Sequence, residues 1–214
     1  MGRGVVTERV ITSDDCVAEG AAWLAALEPR FAAILPDLSP LPLRLKDEGF
    51  APLLHAIMGQ QVSVASANSI WAKLVAADMT TPARVAETTQ DTLRSLGLSR
   101  QKARYAHELA TAGIDFAALR DLSSPEVIKT LTAVPGIGAW TAEVYAKFSL
   151  GRADVFASGD LALQEGARMI FGLETRPTDR QLRNMAAAWS PWRSVAARII
   201  WAYYGSVKTR EGIR

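Results

Sequence analysis

An all-α fold is predicted by three features of the sequence. Apolar residues recur at helical rather than strand spacing, hydroxyl residues precede proline where helices would start, and glycines stand where helices would end. Taken in order, Phe50, Leu53, Leu54, Ile57 and Met58 form one apolar stripe at i, i+3, i+4, i+7 and i+8 on a helix ending near Gly59. Ile70, Trp71, Leu74 and Val75 repeat the pattern. Thr81-Pro82, Ser124-Pro125 and Ser190-Pro191 each offer a hydroxyl N-cap followed by proline at the first helical position, where its missing N–H is tolerated. Ser99 is an N-cap for a helix opening at Arg100, and Thr178 with Gln181 reads as a capping box. Gly97, Gly113, Gly172 and Gly205 follow periodic segments, where a left-handed C-terminal residue is wanted. About ten short helices result on this reading. Residues 33–45, rich in Pro and Leu, are expected to form the longest irregular connection, and no composition shift marks a domain boundary.

Composition narrows the class. The 214 residues carry 24 Lys and Arg against 22 Asp and Glu, a net charge of +2, with 49% hydrophobic and 21% charged residues. These are values for an ordinary globular chain with a core, and they exclude collagen-like, low-complexity and disordered readings. Cys16 is the single cysteine, so one chain can build no internal disulfide, thiolate zinc site or four-cysteine iron–sulfur cluster; a reducing cytoplasm is the expected location. The opening MGRGVVTERV has no long apolar run and no membrane-length apolar stretch follows, so neither a signal peptide nor a membrane span is expected. A pI near 8.8 permits a polyanionic partner without requiring one.

Two positions carry chemistry on spacing alone. In LTAVPGIGAWTA, residues 131–142, Gly136 and Gly138 stand between two helical stretches, the second opening at Ala139. Glycine lets other atoms approach the backbone, and a helix start presents amide N–H groups and a positive dipole end, which suits an anion such as phosphate. A tight turn joining two helices accounts for the same glycines equally well. Asp160 follows Ala-Ser-Gly, read as a flexible link, and precedes a helix beginning LALQ, which makes it an N-cap by sequence.

With those residues in view, the chain resembles the helix-hairpin-helix DNA glycosylases, in particular the alkylation-repair branch of the 3-methyladenine DNA glycosylase II type. The resemblance is carried by HAIMGQQVSVASA (55–67), LGLSRQKARYAHELA (96–110), VPGIGAWTAEV (134–144), ADVFASGDLAL (153–163) and WSPWRSVAARIIW (189–201), in family order over about residues 18–206. It implies a single domain over 1–214 made of two helical lobes with a DNA cleft between them, without the added N-terminal α/β domain of longer relatives. It implies that the amides of Gly136 and Gly138 hold a DNA phosphate, with Thr141 also at the DNA. It implies that the carbonyls of Thr132, Val134 and Ile137 hold a structural Na+ or K+, no cofactor being required for the chemistry.

The resemblance assigns catalysis to Asp160, twenty residues beyond Trp140. A fixed carboxylate stabilises the positive charge that develops on the sugar as an N-glycosidic bond breaks, and it can orient or deprotonate the attacking water. Family members that also cut the strand carry a lysine two residues after the second hairpin glycine; Trp140 stands there instead, which implies a monofunctional enzyme leaving an intact abasic site. Trp140 and Trp201 match walls of the base pocket, with Tyr105 as a further wall, against a core-packing alternative for each. Trp23, Trp71, Trp189 and Trp192 are read as structural. Val144 occupies a position that is aromatic in some relatives, which bears on lesion preference. The side chain entering the base stack is placed at Gln61, with Gln60 and Ser63 as further DNA contacts or, equally, as helix caps. Arg100, Lys102 and Arg104 either track phosphates or form a solvated face. His55 and His107 are isolated and read as structural or surface residues. The implied partner is double-stranded DNA containing a damaged base, bound by a monomer in the bacterial nucleoid. Alternatives of another class or branch are a non-catalytic helix-hairpin-helix DNA-binding module, a hypoxanthine-preferring glycosylase and a lyase-active one.

Overall fold

Helical periodicity and caps produce an all-helical chain in the computed structural model, which describes residues 8–210. The first seven residues of the N-terminal stretch read as lacking a leader, and the outer ends of the 1–214 reading, lie outside the described residues. The elements are α1 (Asp14–Leu27), α2 (Pro29–Leu38), α3 (Phe50–Gly59), α4 (Val64–Ala76), α5 (Pro82–Glu87), α6 (Gln90–Ser95), α7 (Arg100–Thr111), α8 (Ser124–Thr132), α9 (Ala139–Phe148), α10 (Leu161–Phe171), α11 (Asp179–Ala186) and α12 (Arg193–Arg210), with 3-10 turns at Ala118–Asp121 and Ala187–Trp189. That is two α-helices more than the roughly ten read from sequence. Among the described residues there is no β-strand, only an antiparallel bridge between Val10 and Arg152. No helix among them is long and apolar enough to cross a membrane.

The chain forms two compact units, one containing Lys46–Tyr145 and the other the segments ending at Leu45 and resuming at Ala146. In the first unit α7 packs on α3, α5 and α6. The stripe Phe50, Leu53, Leu54, Ile57 and Met58 is buried as its spacing requires, meeting Ala103, Ala106 and Leu109 in the same interior. In the second unit α12 packs on α1, α2 and α10 around Phe31, Phe156, Leu163, Trp189, Trp192 and Ile199. Phe31, Phe156 and Phe171 surround Trp189 or each other with ring centroids 5.3–5.7 Å apart, the offset and edge-on geometry that aromatic quadrupoles favour.

Capping chemistry is mostly as read: Thr81, Ser99 and Asp160 cap α5, α7 and α10, Thr178 and Gln181 form their box, and Gly172 closes α10 in the left-handed region. Several expectations shift. The cap of α8 is Ser123, one residue earlier, because its N–H and hydroxyl both reach the Glu126 carboxylate, at 3.0 and 2.7 Å. Ser190 is not the N-cap of a helix: it closes the 3-10 turn, its N–H donating to Ala187 C=O at 3.4 Å, while its hydroxyl donates to Asp154 at 2.8 Å, and α12 starts at Arg193. Gly205 does not end α12, which runs on to Arg210, and Val75 is 55% exposed rather than part of the stripe. Residues 33–38 are helical despite Pro36, since Phe31 and Leu35 anchor α2 in the core; tertiary packing outweighs the one hydrogen bond proline removes. The irregular stretch therefore begins at Ser39. It is tied down by Arg198, 1% exposed, whose guanidinium donates to the carbonyls of Pro42, Leu43 and Ser194. Burial, with the Arg44 charge nearby, brings that guanidinium down to about 10.

Candidate functional site

The hairpin between Thr132 and Ala139 uses its two glycines differently. Gly136 sits at φ 93, and a Cβ there would lie 2.5 Å from Cγ of Tyr105, so the fold itself demands glycine. A Cβ on Gly138 would meet nothing within 4 Å, so the fold does not. Ile137 N–H donates to Val134 C=O at 3.1 Å, and Ala142 N–H to Gly138 C=O at 3.1 Å opens α9. Among the described residues no backbone carbonyl accepts from Gly136 N–H or Gly138 N–H. Both amides stand at the positive end of α9 and beside a cavity of about 650 Å³ lined also by Gln60, Gln61, Lys102 and Tyr105.

Several predicted residues thus meet in the first unit. Gln61, exposed and at φ 57, occupies the turn between α3 and α4. Gln60 points inward instead: its Nε2 donates to Gly136 C=O at 2.9 Å. Ser63 caps α4, accepting from Ser66 N–H at 3.2 Å. Tyr105 packs against Gly136 and its hydroxyl accepts from Gln101 Nε2 at 2.7 Å, which makes it a support of the hairpin. Lys102 is no solvated surface lysine; its Nζ donates to Met58 C=O at 2.6 Å, and burial lowers its pKa. Arg100 and Arg104 are exposed. Thr141, expected at the DNA, is buried at 6% exposure. Trp140, in the first turn of α9, is 46% exposed, unlike a core tryptophan. His55 meets Trp71 edge-on at 5.0 Å, and burial followed by the Lys46 charge lowers its pKa.

Asp160 and Trp201 meet in the second unit. Asp160 Oδ1 accepts from Leu163 N–H at 3.0 Å, as an N-cap, and from the Trp201 indole Nε1–H at 3.1 Å. The carboxylate is therefore both helix cap and oriented group. The segment before it is not a flexible link: Ala157 and Ser158 are fully buried. The Ser158 hydroxyl donates to Asp179, Gln164 Nε2 donates to Ser158 C=O at 2.9 Å, and Asp160 N–H donates to Ala157 C=O at 3.0 Å. Trp201 stacks on Phe148 with centroids 5.7 Å apart, and the wholly buried Lys147 places Nζ 4.3 Å from the Trp201 ring centroid. Ser158, Gln164, Asp179 and Lys147 escaped the sequence reading as supports. A lysine or glutamine on a helix gives no local sign of burial.

Residues 54–193 match the family described as HhH-GPD superfamily base excision DNA repair protein. The DNA-3-methyladenine glycosylase 1 of Schizosaccharomyces pombe is 29% identical over 206 residues, covering 91% of this chain and 89% of that protein. The crystal structure of a DNA-3-methyladenine glycosidase from Bacillus halodurans superposes with a TM-score of 0.79 at 29% identity, covering 94% of each chain. The S. pombe 3-methyladenine DNA glycosylase in complex with abasic DNA gives 0.74 at 26% identity, covering 90% of this chain and 97% of that one.

Proposed function

The chain belongs to the HhH-GPD superfamily of base excision DNA repair proteins, and from that premise we propose that it is a monofunctional DNA glycosylase, hydrolysing the N-glycosidic bond of alkylated purines in duplex DNA. The observation that carries this reading is Asp160, whose Oδ1 is held by Leu163 N–H and Trp201 Nε1–H on a turn pinned by buried Ser158. A carboxylate held in advance needs no reorganisation when positive charge develops on the sugar, so its field favours the transition state over the ground state. Water completes the reaction, oriented or deprotonated by the same group, and the base leaves an intact abasic site.

DNA is held through its backbone by the hairpin, where Gly136 and Gly138 offer amides at the start of α9 and Gly138 leaves room for a phosphate. Gln61 enters the stack in place of the extracted base. Trp140 and Trp201 offer indole faces to electron-poor methylated purines. The carbonyls of Thr132, Val134 and Ile137 suit a Na+ or K+ ion: Thr132 closes α8 at its negative dipole end, and Val134 C=O keeps a second lone pair beyond its bond from Ile137 N–H. Such an ion would offset the phosphate charge.

The test is incubation of the full chain with duplex DNA methylated by an alkylating agent, followed by chromatography of the released bases. Release of 3-methyladenine and 7-methylguanine with intact strands is expected. Binding without release would return the chain to a DNA-recognition module.

A further inference from the structure

The turn between α3 and α4 is restrained by two contacts that the helices it joins do not require. Gln60 ends α3 in extended backbone and Gln61 follows at φ 57, a left-handed conformation that side chains other than Asn and Asp adopt rarely. Backbone of this kind persists where its surroundings over-determine it. Gln60 Nε2 reaches Gly136 C=O at 2.9 Å on one side, and Lys102 Nζ reaches Met58 C=O at 2.6 Å on the other. The Gly136 carbonyl shares its peptide plane with Ile137 N–H, itself bonded to Val134 C=O at 3.1 Å. Gln60 therefore fixes the plane lying between the two hairpin glycines, and Tyr105 packs against Gly136 beside it. Both side chains turn a polar head toward backbone although they line a cavity of about 650 Å³.

Phosphate bound at Gly136 and Gly138 acts on backbone, whereas base extraction needs the Gln61 side chain at a set offset from that phosphate. We propose that Gln60 and Lys102 are positioning residues that lock the Gln61 turn to the hairpin, so that the phosphate seat and the side chain entering the stack move as one body. This rests on the glycosylase reading of the site. A misplacement on the order of 1 Å at a reacting geometry lowers rates about a hundredfold, which sets the size of effect such struts protect.

The experiment compares the full chain with Gln60→Glu, which keeps shape but removes the donor, and Lys102→Met, which keeps the stem but removes the ammonium. Thermal unfolding first establishes that each variant is folded. Three readouts follow: affinity for undamaged duplex, single-turnover release of 7-methylguanine, and fluorescence of 2-aminopurine placed beside the lesion, which rises when stacking is broken. Gln60→Glu should lower the release rate by about ten- to a hundredfold and halve the fluorescence rise or more, with affinity changed by less than about threefold. Lys102→Met should show the same pattern in weaker form. Unchanged release and unstacking in Gln60→Glu would overturn the proposal. So would a Lys102→Met variant whose affinity falls for every duplex with a salt slope reduced by about one, the signature of a direct phosphate contact. If the parent chain releases no base, the glycosylase reading fails on its own, while the fluorescence still reports whether the turn and the hairpin are coupled.

Discussion

At the scale of single residues, Asp160 caps an α-helix and is proposed to serve a reaction, and asparagine separates the two roles. Asp160→Asn keeps an oxygen to accept from Leu163 N–H and Trp201 Nε1–H, at 3.0 and 3.1 Å in the parent, but removes the charge. Base release should fall at least about a hundredfold while duplex affinity is retained and the helix cap costs no more than about 1 kcal/mol. Near-parental turnover in a folded variant would refute the role given to this carboxylate. Trp140, 46% exposed, answers a different test. Trp140→Ala should lose stacking on the order of 1–3 kcal/mol and so reduce excision of cationic methylated purines more than binding of an abasic analogue, which presents no base. Equal losses in both would mean that the ring supports the hairpin instead. The capping role of Asp160 was legible because its partner Leu163 lies three residues on, whereas the roles proposed for Asp160 in catalysis and for Trp140 at the base come from the family resemblance. The roles of Lys102, Lys147 and Gln60 were not legible, since their partners lie tens of residues away or on another helix, where only packing decides whether a long polar side chain faces water.

Among the elements, the hairpin allows fold and binding to be told apart by two glycines two residues apart. Gly136→Ala forces a Cβ to within 2.5 Å of Tyr105 at φ 93, and should lower stability by about 1–3 kcal/mol along with affinity. Gly138→Leu meets no protein atom at its Cβ, so thermal unfolding should stay nearly where it was while affinity for intact, damaged and abasic duplexes drops alike. Unchanged affinity in Gly138→Leu would reduce the loop to a connection between helices. Helix faces and caps were readable here because they depend on residues three or four apart, as at Phe50–Met58 and Thr178–Gln181. Two of the exceptions share one cause. Ser190 was captured by Asp154, and α2 continued through Pro36 on the strength of Phe31 and Leu35, both decisions made by tertiary partners.

For the whole molecule, charge and pH give two further expectations. Asp154 is partly buried, which alone would raise its pKa, but hydrogen bonds from Arg193 at 2.7 and 2.8 Å and from Ser190 at 2.8 Å lower it below the ordinary 3.8. A carboxylate with a depressed folded pKa stabilises the protein above its unfolded value, and that contribution is lost as pH falls through the folded value. The urea midpoint of Asp154→Asn should therefore lie below the parent's at neutral pH, and the gap should close under acid below about pH 3.8. A gap that persists there would assign the loss to packing. Borohydride should trap no covalent complex with DNA, because the family resemblance puts Trp140 at the position of the nucleophilic lysine and Lys147 is wholly buried. A trapped adduct would overturn the monofunctional reading.

The open space around a Cβ at Gly138 also bears on how variation in this chain is to be interpreted. Most positions face a single selective filter, since whatever harms folding harms activity with it. Gly138 faces two filters that disagree: substitutions there should pass a screen for cellular abundance and fail a screen for survival of alkylation. Scoring every position by both screens and subtracting one map from the other would draw the footprint of DNA on the protein from genetics alone.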